Sequence, residues 1–361
     1  MLTLQLFDGK TGAHIQRLSM VKVSWSDAIN EAGSLNAVSS DWRGLEFRPY
    51  GQILAITEGN DIHHAGYLTR AKYSQKDCSW ELDAGGFMTI LEKRLVLNHA
   101  LASSWKDGMV VVDEDHPKGN WPLKYTGTYS DIISRHLRET LKWGELPVLP
   151  LALSGSKAHE LSYNSYDLAT IAQRIEDIGA LDNGPEFRFD PHIRSDGRIE
   201  FQQVTSSDNG EIVNNTWQWN TTIPNAGVVL GDSDYDGSDI MCTQSYGTGG
   251  RDEDKLLVAR SVSSKLTSAG WPVLQVANKE HSTVSKLNTL KSYVNADTRS
   301  GDEPQAVHAL QVDRTRYRVR VGDWANVRYG TGPNDVLEFK ITDVSGSTES
   351  TMLDVQARER S

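Results

Sequence analysis

Val21 to Trp42 reads VKVSWSDAINEAGSLNAVSSDW, and this stretch decides the fold. Val21, Val23 and Trp25 alternate with Lys22 and Ser24, the period of a strand with one buried face. Asp27, Asn30 and Gly33 supply turn chemistry, and Leu35 to Val38 resumes as an extended run. The result is a strand–turn–strand entrance with Trp25 at its hinge. On a chain without a recognisable catalytic motif, that combination points to an assembly part rather than an enzyme.

Working outward, residues 1–100 read as almost all β. Strands are predicted at Leu2 to Phe7, Val21 to Trp25, Leu35 to Val38, Gln52 to Thr57, His63 to Tyr73 and Trp80 to Gly85. Turn residues separate them, as at Asp8-Gly9 and Gly59-Asn60-Asp61. Such short, closely spaced strands favour a small barrel or sandwich. Phe87 to Leu97 fits either a short helix or an exit strand.

Residues 101–205 change character. Ser130 is the expected N-cap of a helix carrying Ile133, Leu137 and Leu141, with Gly144 just past its end. A second helix is read from Leu168, Ile171, Ile175 and Ile178, with Ser165 as cap and Gly179 as stop. Phe187 and Phe189, Asp196-Gly197, then Ile199 and Phe201 spell a hairpin. From 206 to 361 the chain returns to β. Trp217, Trp219 and the run Gly227 to Leu230 precede an Asp/Gly-rich loop, and strands are expected at Ile240 to Ser245, Leu256 to Ser261 and Val273 to Val276. More follow at Ala309 to Val312, Tyr317 to Val321, Trp324 to Tyr329, Val336 to Val344 and Thr351 to Ala357. A helix near 282–294 interrupts them through Val284, Leu287, Leu290 and Val294, and Asn295 to Pro304 reads as a loop.

Composition bounds the function. A chain of 361 residues suggests two or three domains and buries about three quarters of its unfolded surface. No apolar run approaches the roughly 18 residues of a membrane span, so no membrane anchor is expected. The start MLTLQLFDGK lacks a basic n-region and a long apolar core, so no secretion signal is read. Cys78 and Cys242 have no metal-ligand spacing and read as buried or inert thiols. With 48 acidic against 37 basic residues the net charge is −11, which argues against a nucleic-acid grip across a basic face.

The search for chemistry comes up short. Gly-x-Ser-x-Gly, His-Glu-x-x-His and the phosphate-cradling Gly-x-x-x-x-Gly-Lys pattern are absent. His159-Glu160 and His63-His64 have no third ligand at a telling distance. Asp232, Asp234 and Asp236 before Gly237 match half a calcium loop, but Thr243 stands where the bidentate Glu belongs, so an Asx-turn loop is the reading. Gly247-Thr-Gly249-Gly250 reads as a flexible loop. The acid clusters Asp113 to Asp115 and Asp252 to Asp254 read as solvated loops rather than a glycosidase pair. Trp105, Trp121, Trp143, Trp217 and Trp219 invite sugar stacking, but core or subunit packing is the commoner use. No cofactor, metal or catalytic residue is assigned.

Three places carry a family resemblance: the pattern of Val21, Val23, Trp25, Gly33 and Leu35; the helix and hairpin over Leu168 to Phe201; and Val321-Gly322-Asp323-Trp324 leading into Val327. Together with the element order, they make the chain resemble the tail-hub proteins of long-tailed bacteriophages, relatives of the baseplate hub. The resemblance implies a mainly β fold with an α+β insert: two β-barrel-like domains, 1–100 and 206–361, bracketing an α/β domain, 101–205. It implies a non-enzymatic homotrimer at the distal tail tip, assembled in the host cytoplasm. Six barrel-like domains would then continue the tail tube and leave a channel for DNA. Its expected partners are the distal tail or tube protein, the tape-measure protein and other tail-tip proteins. Trp25, Gly33, Leu35 and Trp324 are the structural or interface candidates. The family's C-terminal hydrolase or fibre domain is not expected after Ser361. A host-surface carbohydrate-binding protein or glycoside hydrolase is the alternative reading.

Overall fold

In this computed structural model, described residues are 1–40, 46–59, 61–103, 119, 121–208, 210–234, 241–252, 255–279, 281, 284, 286–303, 306–332 and 335–359. The opening hairpin is β3 (Met20–Ala28) and β4 (Ser34–Ser39), antiparallel with Trp25 opposite Leu35. Asn30 and Gly33 take positive φ, 63° and 68°, to turn it. A register shift between Met20 and Lys22 breaks the alternation, so Val23 and Trp25 are buried while Val21 faces out. That corrects the expectation that all three share a buried face.

Around this hairpin the N-terminal region adds β1 (Leu2–Asp8), β2 (His14–Leu18), β5 (Gln52–Glu58), β6 (Asp61–Ser74) and β7 (Ser79–Gly85). β2 was not foreseen, because its largely exposed residues leave no apolar period. The strand order is β3-β4-β7-β6-β5-β1-β2. Ile53 to Ile56 are buried on both faces. Leu54 and Ile56 join the core between the β regions, whereas Ile53 and Ala55 join the core shared with the middle region. That is why β5 lacks alternation. Phe87–Leu91 resolves the open choice as a short helix, α1.

The middle region holds β8 (Pro122–Gly127), α2 (Tyr129–Lys142), β9 (Val148–Leu149), β10 (His159–Asn164), α3 (Ile171–Gly179), β11 (Phe187–Ile193) and β12 (Ile199–Thr205). Both predicted caps move. Thr128, not Ser130, caps α2 through a capping box with Asp131, and Thr170, not Ser165, caps α3. Ser165 instead lies in a short 3-10 turn whose end, Leu168, is left-handed (φ 51°) and exposed, so Leu168 is off the helix. The Ser165 hydroxyl donates to the Trp121 carbonyl (2.7 Å).

The C-terminal region contributes β13 (Thr216–Asn220), β14 (Val228–Asp234), β15 (Gln244–Asp252), β16 (Lys255–Val262), α4 (Lys265–Ser268), β17 (Gln275–Asn278), α5 (Leu287–Gly301), β18 (Val307–Asp313), β19 (Trp324–Arg328), β20 (Val336–Ser347) and β21 (Met352–Glu359). The loop expected from Asn295 is helical to Gly301. Its Thr298 and Ser300 hydroxyls turn back onto the carbonyls four residues earlier, so these polar residues stay compatible with the helix. Gly247 and Gly249 are not a flexible loop. They lie in β15 under α5, where a Cβ on Gly247 would meet Val294 Cγ1 at 2.7 Å.

Tyr317 to Val321 is the other correction. Val319 and Val321 are buried, but the segment joins no ladder. Two of its backbone groups are met by side chains instead: Arg320 N–H donates to Asp323, and the Val321 carbonyl accepts from Arg188 and Asn214.

Strand order reveals an internal duplication. The second region runs β14-β18-β21-β20-β19-β13, which matches β3-β4-β7-β6-β5-β1 strand for strand and in the same chain order. Both long strands carry a register shift, between Leu68 and Arg70 against β7 and between Ile341 and Asp343 against β21. Just before each shift a positive-φ residue donates to the strand: Tyr50 N–H to the Leu68 carbonyl (2.7 Å) and Gly322 N–H to the Ile341 carbonyl (2.8 Å). The repeats differ in that β1 is antiparallel to β5 whereas β13 is parallel to β19. The second repeat also inserts β15 to β17, α4 and α5 between β14 and β18.

Candidate functional site

The two repeats meet where β3 pairs antiparallel with the far half of β20, Ser24 to Ala28 against Ser347 to Asp343. This makes one 13-stranded sheet of both β regions. Trp25 sits in the middle of the junction, 3% exposed, opposite Leu35 on one side and Gly346 on the other. A Cβ on Gly346 would lie 2.4 Å from Trp25 Cζ2, so glycine there is what admits the indole. Leu35 is fully buried in the same core.

Gly33 packs where a Cβ would meet the Ser26 carbonyl oxygen at 2.6 Å. Trp324 lies apart from these three, on β19 between Thr216 of β13 and Lys340 of β20, with the Lys340 ammonium 5.7 Å from its ring centre. Trp25, Gly33 and Leu35 therefore form one cluster at the repeat junction, and Trp324 belongs to the second repeat alone.

Ion pairs staple the junction. Arg314 reaches Glu58 (2.6 Å) and Arg318 reaches Asp61 (2.8 Å), each linking the second repeat to the first. Burial pushes the Glu58 carboxyl up, but Arg314, the terminal amine and His63 outweigh it and leave it below its ordinary value. Burial pushes the His63 imidazole down, further than Glu58 holds it up. His64, 2% exposed, bonds Asp27 (2.7 Å). A second network ties in the middle region: buried Lys340 pairs with Glu186 (2.6 Å) and Arg188 with Asp190 (2.5 Å). Sequence reading missed the links of Arg314, Arg318 and Lys340 because their partners lie more than 150 residues away in the chain.

A cleft beside the junction is lined by Trp25, Asp27, His63, Arg188, Arg318 and Val321 among others. Several of its charged side chains are held in pairs: Asp27 with His64, Asp61 with Arg318 and Arg188 with Asp190. Among the described residues no group of three His, Cys, Asp or Glu side chains could hold a metal. His159 is spent on Asp208 (2.8 Å) and on stacking with Tyr129. Trp217 and Trp219 stack on each other, with the Trp217 indole donating to Asp323 (2.9 Å). Cys242 is buried, and Cys78 is exposed on a turn residue with φ 48°. Trp105, Asp113 to Asp115, Asp236 with Gly237, and Glu253 with Asp254 lie outside the described residues. Among those described, no helix is long and apolar enough to cross a membrane.

No protein-family model and no curated protein matches the chain by sequence. Solved structures do. The tail protein from Neisseria meningitidis MC58 superposes with a TM-score of 0.54 at 13% identity, over 99% of this chain and 96% of that one. The 43 kDa tail protein of prophage MuSo2 from Shewanella oneidensis gives 0.57 at 10% identity, over 99% and 98%. The chain thus has a mainly β phage tail-protein fold, as the resemblance in its sequence implied.

Proposed function

We propose that this chain is a structural protein of a bacteriophage tail that assembles as a trimeric hub at the distal end. The observation that carries this reading is the internal duplication. One chain holds two sheet repeats of the same strand order, side by side and hydrogen-bonded. Three such chains supply six similar units, the number a sixfold tube needs at its end. The division into 1–100, 101–205 and 206–361 belongs to this proposal, with the middle region buttressing the repeats. Its partners are then the tube or distal tail protein on one face, tape-measure and tip proteins on the other, and DNA passing through. Its location is the virion. The role proposed is geometric rather than enzymatic, since it follows from the paired repeats.

The test is mass and shape in solution. Sedimentation and negative-stain imaging should give about 120 kDa, three times the 40.1 kDa chain, as a six-lobed ring. A monomer that persists at high concentration and with the tube protein added would overturn the hub.

A further inference from the structure

We propose that the outer edge of β14 pairs antiparallel with the far half of β6 in a second copy of this chain, repeating between chains the junction that β3 and β20 make within one. The inference takes the number of copies from the hub reading, but the seam itself follows from the two repeats.

Within the chain, β19 covers Val336 to Lys340 of β20, and β3 covers the part that runs on, Asp343 to Ser347. In the first repeat, β5 covers Asp61 to Tyr67 of β6, and the strand likewise runs on to Ser74. Among the described strands none takes the place of β3 beside Arg70 to Ser74, and none pairs with β14 on the side away from β18. A chain therefore carries one unused copy of each half of the junction. Two different edges, each used once per copy, make a head-to-tail contact that propagates around a ring.

The register can be carried across. The shifts in β6 and β20 place Arg70 on Asp343, Lys72 on Ser345 and Tyr73 on Gly346. On the other side, Trp25 pairs with Leu35 and Leu35 with Ala84, while Ser233 pairs with His308 and His308 with Ala357. Ala84 and Ala357 occupy equivalent places, opposite Leu68 and Ile341. So Ser233 stands where Trp25 does, and Asp234 where Ser26 does.

Since Gly346 faces Trp25 and Ser345 faces Ser26, Tyr73 should face Ser233 and Lys72 should face Asp234. The side chains suit this. Inside the chain a large Trp meets a glycine; between chains a small Ser would meet a Tyr that is 37% exposed. The β14 end is acidic and exposed at Asp232 and Asp234, and the β6 end is basic and exposed at Arg70 and Lys72. Arg70 and Lys72 already touch Asp83 and Glu81, but exposed pairs of that kind contribute little and leave the cations free to bridge.

The experiment uses the full chain with Cys78→Ser. Tyr73→Cys together with Ser233→Cys should give covalent dimers and higher forms on mild oxidation, while either cysteine alone should not. Lys72→Glu should raise the concentration for half-assembly at least tenfold, and adding Asp234→Lys in the same chain should restore it, with unchanged melting showing that each variant folds. A ring of the right mass that neither cross-links nor responds to the charge swap would overturn this seam and leave the hub standing. Absence of any ring would remove both.

Discussion

Trp25 fills a site shaped by Gly346, Leu35 and the ring of His63 at 5.2 Å. Trp25→Ala should destabilise the fold by about 3–5 kcal/mol, since a large buried ring leaves a cavity that the paired strands cannot collapse into. Chemical denaturation measures it, and unchanged stability would remove Trp25 from the junction. His136 makes a second residue-scale prediction. It is fully buried on α2, edge-on to Tyr125 and Tyr163, and burial, with nearby Arg174, pushes its pKa down to about 3. The unfolded chain takes up this proton as pH falls below about 6.5, whereas the folded chain resists until about 3, so stability falls with pH across that window. Between pH 6.5 and 4.5 the loss from His136 should be about 2–3 kcal/mol. His136→Phe should shrink the difference between melts at pH 7 and pH 4.5 by that amount. His63, also pushed down by burial, adds loss of the same sign.

Elements owe their ends to local chemistry that residue periodicity does not locate. The apolar stripe of α2 was legible from Ile133 and Leu137, but its start was set by the reciprocal bonds of Thr128 and Asp131. Thr128→Ala should cost about 1 kcal/mol, read as a lowered unfolding midpoint, because the Asp131 N–H at the helix start loses its acceptor. Asp131 is also held by Ser154 (2.7 Å to the backbone N–H), so Asp131→Ala should cost more than Thr128→Ala. Tyr317 to Val321 shows the reverse case: it alternates like a strand, but Arg188 and Asn214 occupy the carbonyl that a neighbour would need. Alternation records which side chains are buried and is silent on what meets the backbone.

For the whole molecule, charge is the quantity that ties composition to the proposed conduit. Three copies at −11 each carry −33, and a channel that DNA must leave cannot hold phosphates through released counterions. The purified ring should therefore bind duplex DNA weakly even at low salt, with its Lys and Arg placed outside the lumen and at subunit contacts. Filter binding over a salt series checks this. Tight, salt-sensitive binding would replace the passive conduit with an active DNA-handling role.

The sequence by itself determined most strands, the hairpin of Phe187 to Phe201 and both long apolar helix faces, because each is written in neighbours two to four residues apart. It also carried the element order that made the tail-protein fold recognisable. Only the tertiary structure decided that β3 joins β20 more than 300 residues later, that Glu58 and Asp61 meet Arg314 and Arg318, and that Gly346 exists to admit Trp25. The family resemblance implied two similar β regions, but their strand-by-strand match was hidden for the same reason. The two regions share strand order and register shifts rather than residues, and pairing between distant strands leaves no period in the chain.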